Sequence, residues 1–185
     1  MIEITIQNIV ASTIFAEKLD LDIIAQSIEE TEYEPEQFPG LIYRLKDPKT
    51  ATLLFTSGKA NCTGGKNLED VRKVINIIAD RLKRIGITDV YENKDLKITV
   101  QNMVATANLE GEMNLTEVAM GLGLENVEYE PEQFPGLVYR IAEPKVAMLL
   151  FNSGKIVCAG ARNKEDISIA VEKLSKELRS LGFLH

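Results

Sequence analysis

The chain repeats itself. Tyr33 to Asp70 (YEPEQFPGLIYRLKDPKTATLLFTSGKANCTGGKNLED) and Tyr129 to Asp166 (YEPEQFPGLVYRIAEPKVAMLLFNSGKIVCAGARNKED) agree at 25 of 38 positions without a gap, at an offset of 96. Upstream, ITIQNIVAS (Ile4 to Ser12) faces ITVQNMVAT (Ile98 to Thr106) at an offset of 94. The two-residue difference places a loop insertion near Gly121 to Asn126. Two units of about 85 residues, 1–93 and 94–185, therefore fill the chain, joined by a polar segment around Asp89 to Asp95. Two copies are too few for a solenoid, which needs three or more. They can instead complete one pseudo-twofold body with a continuous sheet, and such symmetry suits a roughly two-fold partner, either duplex DNA or a symmetric protein dimer.

Each copy gives the same coarse pattern. Ile4 to Ser12 is β-branched and alternating, a strand. Asp20 opens a short helix with Leu21, Ile24, Ala25 and Ile28 on one face; in the second copy Asn114 is the cap, with Glu117 at the capping-box position. Three strands follow, roughly Leu41 to Leu45, Thr50 to Phe55 and Lys59 to Thr63, with turns at Asp47-Pro48-Lys49 and Ser57-Gly58-Lys59. A long helix closes the copy: Asn67 caps it, Leu68, Val71, Ile75, Ile78, Leu82 and Ile85 form the stripe, and Gly86 ends it. Asn163, Asp166 and Gly182 repeat that grammar. The order β-α-β-β-β-α, twice, predicts an α+β body, a mostly antiparallel sheet with helices on one face.

The open face of that sheet decides function. In the first strand Gln7, Ile9 and Ala11 alternate with Ile6, Asn8, Val10 and Ser12. Later strands set Leu53 and Phe55 against Thr52 and Leu54, and Asn61 and Thr63 against Ala60 and Cys62. Both sets hold large apolar residues, yet helices suffice for one side, which predicts an exposed apolar surface. Either a ligand surface or a dimer interface satisfies that pattern. Four of the six phenylalanines stand at repeat-equivalent positions, Phe38 with Phe134 and Phe55 with Phe151. Phe38 lies in a loop punctuated by Pro39-Gly40, where a packed loop anchor is the ordinary role.

Composition excludes other classes. No apolar run approaches the ~20 residues of a membrane span, and Met1-Ile2-Glu3 does not begin a signal peptide. With two cysteines and one histidine, neither a metal site nor a disulfide framework is expected, nor any cofactor. Cys62 and Cys158 read as reduced thiols buried under the helices, and His185 lacks a catalytic companion. Gly64-Gly65-Lys66 departs from phosphate-loop spacing and reads as a strand-to-helix turn. A nucleic-acid-processing enzyme on this frame needs a carboxylate or lysine in a pocket, which the sheet pattern does not offer; no enzymatic activity is expected.

The doubled QNΦV (Gln7 to Val10, Gln101 to Val104), the doubled YEPEQFPGLΦYR and the doubled FxSGK (Phe55 to Lys59, Phe151 to Lys155) resemble the TATA-box-binding protein family. The doubled YEPEQFPG points to its archaeal branch. The resemblance covers almost the whole chain. It implies a saddle, a curved ten-stranded antiparallel sheet with four helices on the convex face and the DNA minor groove against the other. By that resemblance Phe38 with Phe55, and Phe134 with Phe151, are intercalating pairs. Asn8, Val10, Thr63, Asn102 and Val104 contact the groove floor, and Arg44, Lys49, Ser57, Lys59, Arg140, Lys145, Ser153 and Lys155 hold the backbone. Glu130, Glu132 and Gln133, in the second stirrup loop, meet transcription factor B, with RNA polymerase an indirect partner. The implied role is a general transcription initiation factor in the cytoplasm, on the nucleoid of an archaeal cell; a homodimer through the sheet face is the further partner when DNA is absent. The alternative is an interaction module that uses this face only to dimerise. Two residues depart from the family pattern, Ala159 opposite Thr63 and Asn61 opposite Val157; a slight bias of binding orientation and no effect both stay open, with no effect the favoured reading.

The net charge of −7 argues against a polyanion partner if taken as a whole. Its distribution reverses that. Ser12 to Glu36 carries eight acids and one base, and Asn108 to Glu132 seven acids and no base. Gly40 to Lys66 has five bases against one acid, and Gly136 to Arg162 four against one. The acid surplus marks the first helices and stirrups, where a basic protein can dock, while the strands assigned to DNA are basic.

Overall fold

The computed structural model describes residues 2–91 and 96–184. Part of the expected linker, with the boundary at Asn93, and His185 lie outside the described residues. Ten strands and four helices are formed among those described. They are β1 (Ile4–Ile14), α1 (Leu21–Ser27), β2 (Thr31–Glu32), β3 (Leu41–Lys46), β4 (Lys49–Leu54), β5 (Lys59–Gly65) and α2 (Leu68–Arg84). Then come β6 (Thr99–Asn108), α3 (Leu115–Leu122), β7 (Val127–Glu128), β8 (Leu137–Ile141), β9 (Val146–Leu150), β10 (Lys155–Ala161) and α4 (Lys164–Ser180). The strands form one sheet in the order β2-β3-β4-β5-β1-β6-β10-β9-β8-β7. The expected α+β class holds, but each copy is β-α-β-β-β-β-α. The added strands β2 and β7 pair antiparallel with β3 and β8; at two residues each they are too short to display an alternation.

Contacts gather the chain into two compact units, Asn8–Gln101 and Met1–Gln7 with Asn102–His185. Strands β1 and β6 are thus each divided, contributing a short end to one unit and the rest to the other.

Within the unit Asn8–Gln101, the caps act as the sequence implies. Asp20 accepts from the Ile23 N–H at 3.2 Å, and Asn67 from the Asp70 N–H at 2.7 Å. The Asp70 carboxylate reaches back to accept from the Lys66 N–H at 3.3 Å, tying the residue before the cap to the first turn of α2. Helix α2 buries Val71, Val74, Ile75, Ile78, Ala79 and Leu82 over the buried strand residues Ala11, Tyr43, Leu54 and Cys62. Val74 joins the expected stripe, whereas Leu68, in the first turn, is 43% exposed and leaves it. Each fully buried valine, isoleucine or leucine of that stripe contributes roughly 1.5–3 kcal/mol of transfer free energy. The helix stops where Gly86 takes φ 95°: the Ile87 N–H bonds the Leu82 carbonyl at 2.9 Å and the Gly86 N–H the Lys83 carbonyl at 3.1 Å, a Schellman closure.

The other unit repeats these devices. Asn114 caps α3 through the Thr116 and Glu117 N–H groups, and Asn163 caps α4 through Asp166. Ile167, Ala170, Val171, Leu174 and Leu178 cover Met148, Ile156 and Cys158. Of the two-residue insertion expected near Gly121 to Asn126, one residue lengthens α3 to eight residues against seven in α1, and the other falls in the link after it, where Gly123 at φ 93° ends the helix.

Candidate nucleic-acid interface

Parity in the strands decides which side chains the helices leave uncovered. In β5, Ala60 and Cys62 are buried beneath α2 while Asn61 and Thr63 are half-buried on the opposite face. The same parity runs through neighbouring strands by register: Ile42 pairs with Leu53, Leu53 with Asn61, and Asn61 with Ser12. One step along, Arg44 pairs with Ala51 and Ala51 with Thr63. The other unit gives Val138 with Leu149, Leu149 with Val157 and Val157 with Thr106; then Arg140 with Ala147, Ala147 with Ala159, and Ala159 with Val104. Each open face is therefore a floor of mainly half-buried side chains with an arginine at its outer margin. It is aliphatic at Ile42, Leu53 and Ala51 beside Ser12, Asn61 and Thr63 in one unit, and aliphatic except for Thr106 in the other.

Asn8 and Asn102 stand on these faces with fixed carboxamides. The Gly64 N–H donates to Asn8 Oδ1 at 2.7 Å, and the Gly160 N–H to Asn102 Oδ1 at 2.7 Å. Both glycines sit at register shifts, between Ile9 and Ala11 against β5 and between Ala159 and Ala161 against β6. Gly64 and Gly160 take φ of 103° and 100°, a conformation glycine adopts without strain. The bulge turns an N–H toward the asparagine. With the carbonyl oxygen so held, the amide nitrogen is left to donate outward. Asn8 Nδ2 also donates to Thr63 Oγ1 at 3.2 Å; Ala159, at the equivalent place, offers Asn102 no such hydroxyl. Val10 and Val104 are half-buried on the same faces.

These two glycines, which the motifs alone do not single out, fix the asparagine carboxamides. Gly64 and Gly65 lie within β5, not in the strand-to-helix turn expected of them. A repeated glycine inside a strand is itself a bulge signal. The glutamines of QNΦV acquire a role as well: Gln7 Nε2 donates to Thr106 Oγ1 at 3.0 Å, and Gln101 Nε2 to Ser12 Oγ at 2.9 Å.

Phe38 and Phe55 come together at one end of the first face, edge to face with centroids 6.1 Å apart; Phe134 and Phe151 do the same at 6.0 Å. Phe38 is 40% and Phe134 43% exposed, more than a packed loop anchor would be. The Glu34 carbonyl accepts from the Gln37 and Phe38 N–H groups at 3.0 Å, which tightens the loop beneath the ring. The Glu130 carbonyl accepts likewise from Gln133 and Phe134. Glu130, Glu132 and Gln133 are exposed on that second loop.

Every basic residue singled out in the sequence is exposed: Arg44, Lys49, Lys59, Arg140, Lys145 and Lys155. Ser57 and Ser153 are exposed in the turns before β5 and β10. The two arginines are held by glutamates of the adjoining short strands, Arg44 by Glu32 at 3.4 Å and Arg140 by Glu128 at 2.9 Å.

Beneath the helices lie groups of a different kind. Burial raises the Tyr43 phenol, against a hydrogen bond from Arg81 Nη1 at 3.1 Å that lowers it. Burial first, and then the Glu177 carboxylate, raises Tyr139. Both cysteines are free and buried, as expected. Burial pushes the Cys62 thiol up, offset in part by the hydroxyl of Thr52 opposite it. Cys158 faces Met148 instead, and burial pushes its thiol to about 11. Such thiols are poor nucleophiles. Among the described residues, no three His, Cys, Asp or Glu side chains are grouped to hold a metal, and no helix is long and apolar enough to cross a membrane.

The family model described as "Transcription factor TFIID (or TATA-binding protein, TBP)" matches residues 3–85 and 97–181. The chain is 62% identical over 184 residues to the TATA-box-binding protein of Picrophilus torridus, covering 100% of this chain and 98% of that one. It is 51% identical over 182 residues to that of Archaeoglobus fulgidus, covering 98% of each. The solved structure of Methanococcus jannaschii TBP aligns over 96% of this chain and 99% of that chain, with a TM-score of 0.88 and 48% identity.

Proposed function

The chain belongs to the TATA-box-binding protein family, and on that premise we propose that it is a general transcription initiation factor that seats its open sheet face on the minor groove of TATA-box DNA. The observation that carries this reading is the uncovered, largely aliphatic floor, bearing in each unit one carboxamide held by its carbonyl. A·T and T·A pairs offer only acceptors in the minor groove, the adenine N3 and thymine O2. Asn8 and Asn102 present donors to them, while Val10 and Val104 pack against the bases. A guanine amino group pressed against an aliphatic side chain of this floor loses its water without replacement.

In this reading Phe38 with Phe55, and Phe134 with Phe151, are wedges that part base steps at the two ends of the site. Unstacking costs a few kcal/mol per step and least at flexible pyrimidine–purine steps such as TA. The sequence-dependent cost of deformation then adds to the selectivity of direct contact. Arg44, Lys49, Lys59 and their counterparts Arg140, Lys145 and Lys155, with Ser57 and Ser153, hold phosphates. The exposed loop of Glu130, Glu132 and Gln133 takes transcription factor B, and through it RNA polymerase, on the nucleoid. No catalytic step is part of this role. The same floor supports self-association of the free chain, which DNA displaces.

Titration of a TATA-containing duplex against a scrambled G·C-rich one at several salt concentrations tests the reading. With six phosphates neutralised, the log–log salt slope is expected at roughly −5. A flat salt response with equal affinity for both duplexes would sink it and leave the dimerisation module as the better account.

A further inference from the structure

We propose that Asn61 makes the half of the open face built on β5 tolerant of a guanine in the groove, while Val157 makes the half built on β10 exclude one; this rests on the DNA reading above. The two residues occupy the same place in two identical registers. Asn61 lies between Leu53 and Ser12, and Val157 between Leu149 and Thr106. Both are half-buried on the face that no helix covers. The Asn61 carboxamide has no hydrogen-bond partner among the described residues, whereas its polar neighbours are engaged. Ser12 Oγ accepts from Gln101, and Thr63 Oγ1 is joined to Asn8.

The minor groove gives that carboxamide a definite partner. A G·C pair differs there from A·T by one donor, the guanine 2-amino group. Asn61 Oδ1 can accept from that amino group. Turned over, Asn61 Nδ2 can donate to adenine N3 or thymine O2. Val157 presents only methyl groups, so a guanine amino group pressed against it is buried unpaired. Asparagine and valine are close in size, so the difference lies in hydrogen bonding and not in bulk. From sequence alone no effect is the favoured reading of this pair of residues; their shared position on the uncovered face gives them unequal chemistry. The chain then has a built-in orientation on a site containing one G·C pair, with the β5 half over it.

A self-complementary A·T site tests this. One G·C pair is placed at each position of one half in turn, and then at the symmetric position as well. At the position read by Asn61, the first G·C pair is expected to cost less than about threefold in affinity, because the protein binds in the orientation that suits it. The second is expected to cost about tenfold, the usual scale for a wrong pair. Inosine, which lacks the 2-amino group, should remove the cost of the second. Asn61→Val should make the first substitution as costly as the second, and Val157→Asn should abolish the cost of the second, with melting curves checking that each variant folds. Equal costs for the first and second substitutions in the unmodified chain, or an Asn61→Val variant with an unchanged first cost, would overturn the proposal. Failure of the DNA reading itself looks different: the all-A·T duplex would then bind no better than the scrambled one.

Discussion

Phe38 and Phe55 meet edge to face, with ring centroids 6.1 Å apart and planes at 68°, and Gly40 is the seat that lets them meet. A Cβ at Gly40 would stand 2.7 Å from Phe38 Cε2 and 3.0 Å from Phe55 Cε1. Phe134, Phe151 and Gly136 reproduce the arrangement. Edge-to-face pairs contribute about 0.5–1.5 kcal/mol beyond area, which stiffens a ring that is otherwise partly in water.

That pairing predicts separable effects on bending and folding. Phe55→Ala or Phe151→Ala should reduce DNA bending, read by FRET between the duplex ends, far more than it lowers the melting temperature. Gly40→Ala should displace the pair and weaken bending at that end only in part. Unchanged bending in the phenylalanine variants would refute the wedge role.

Asn102 is held by one hydrogen bond, to the Gly160 N–H, and an aspartate can accept the same bond. Asn102→Asp should therefore leave thermal stability within about 1 kcal/mol of the original. It should lower affinity for TATA DNA at least about tenfold, because a carboxylate facing groove acceptors replaces a donor by a charge. Retained affinity in filter-binding or fluorescence titration would remove Asn102 from the interface.

The pair of Arg140 with Glu128 is exposed, so it adds less than about 1 kcal/mol to folding. Releasing the guanidinium should favour phosphate contact. Glu128→Gln is expected to raise DNA affinity severalfold at low salt with little change in melting temperature, whereas Arg140→Ala should flatten the salt slope by about one unit. A Glu128→Gln affinity equal to the original would show that the ion pair does not compete with DNA.

The buried thiols predict alkaline behaviour. For Cys158 the folded value is about 11 against an ordinary 9.0. The folded state therefore holds the proton more tightly than the unfolded one. Its contribution to stability is complete below pH 9.0 and is lost as pH rises toward and through about 11. Cys158→Ala should flatten the stability profile over that window, measured by denaturant melts at graded pH. At neutral pH both thiols should resist a disulfide reagent until the chain unfolds, and fast labelling of the native protein would contradict their burial.

Much of this molecule can be read directly from its residues. Asn67, Asn114 and Asn163 announce helix starts because a cap is a local bond between a side chain and an N–H two or three residues on. Gly86 and Gly182 announce helix ends because the closing turn needs a positive φ. The alternation in β4 and β5 fixes which residues share a face, since pleating sends successive side chains to opposite sides. The doubled motifs alone make Phe38 the counterpart of Phe134 and Asn8 the counterpart of Asn102, because each pair holds the same place in its copy.

Tertiary structure decided the rest. Alternation gives parity but cannot by itself say which parity a helix will cover when both are apolar; the family motifs assign Thr63 to the open face, and the burial of Ala60 and Cys62 puts Asn61 beside it. Strands β2 and β7 exist because β3 and β8 offer free backbone groups to pair with, a bond between distant segments and not a property of Thr31 or Val127. The orientation of the Asn8 carboxamide depends on the Gly64 N–H, which a bulge in β5 brings to it from far along the chain. Local chemistry sets caps, turns and periodicity; long-range pairing sets which side chains are left uncovered, and the proposed function rests on those.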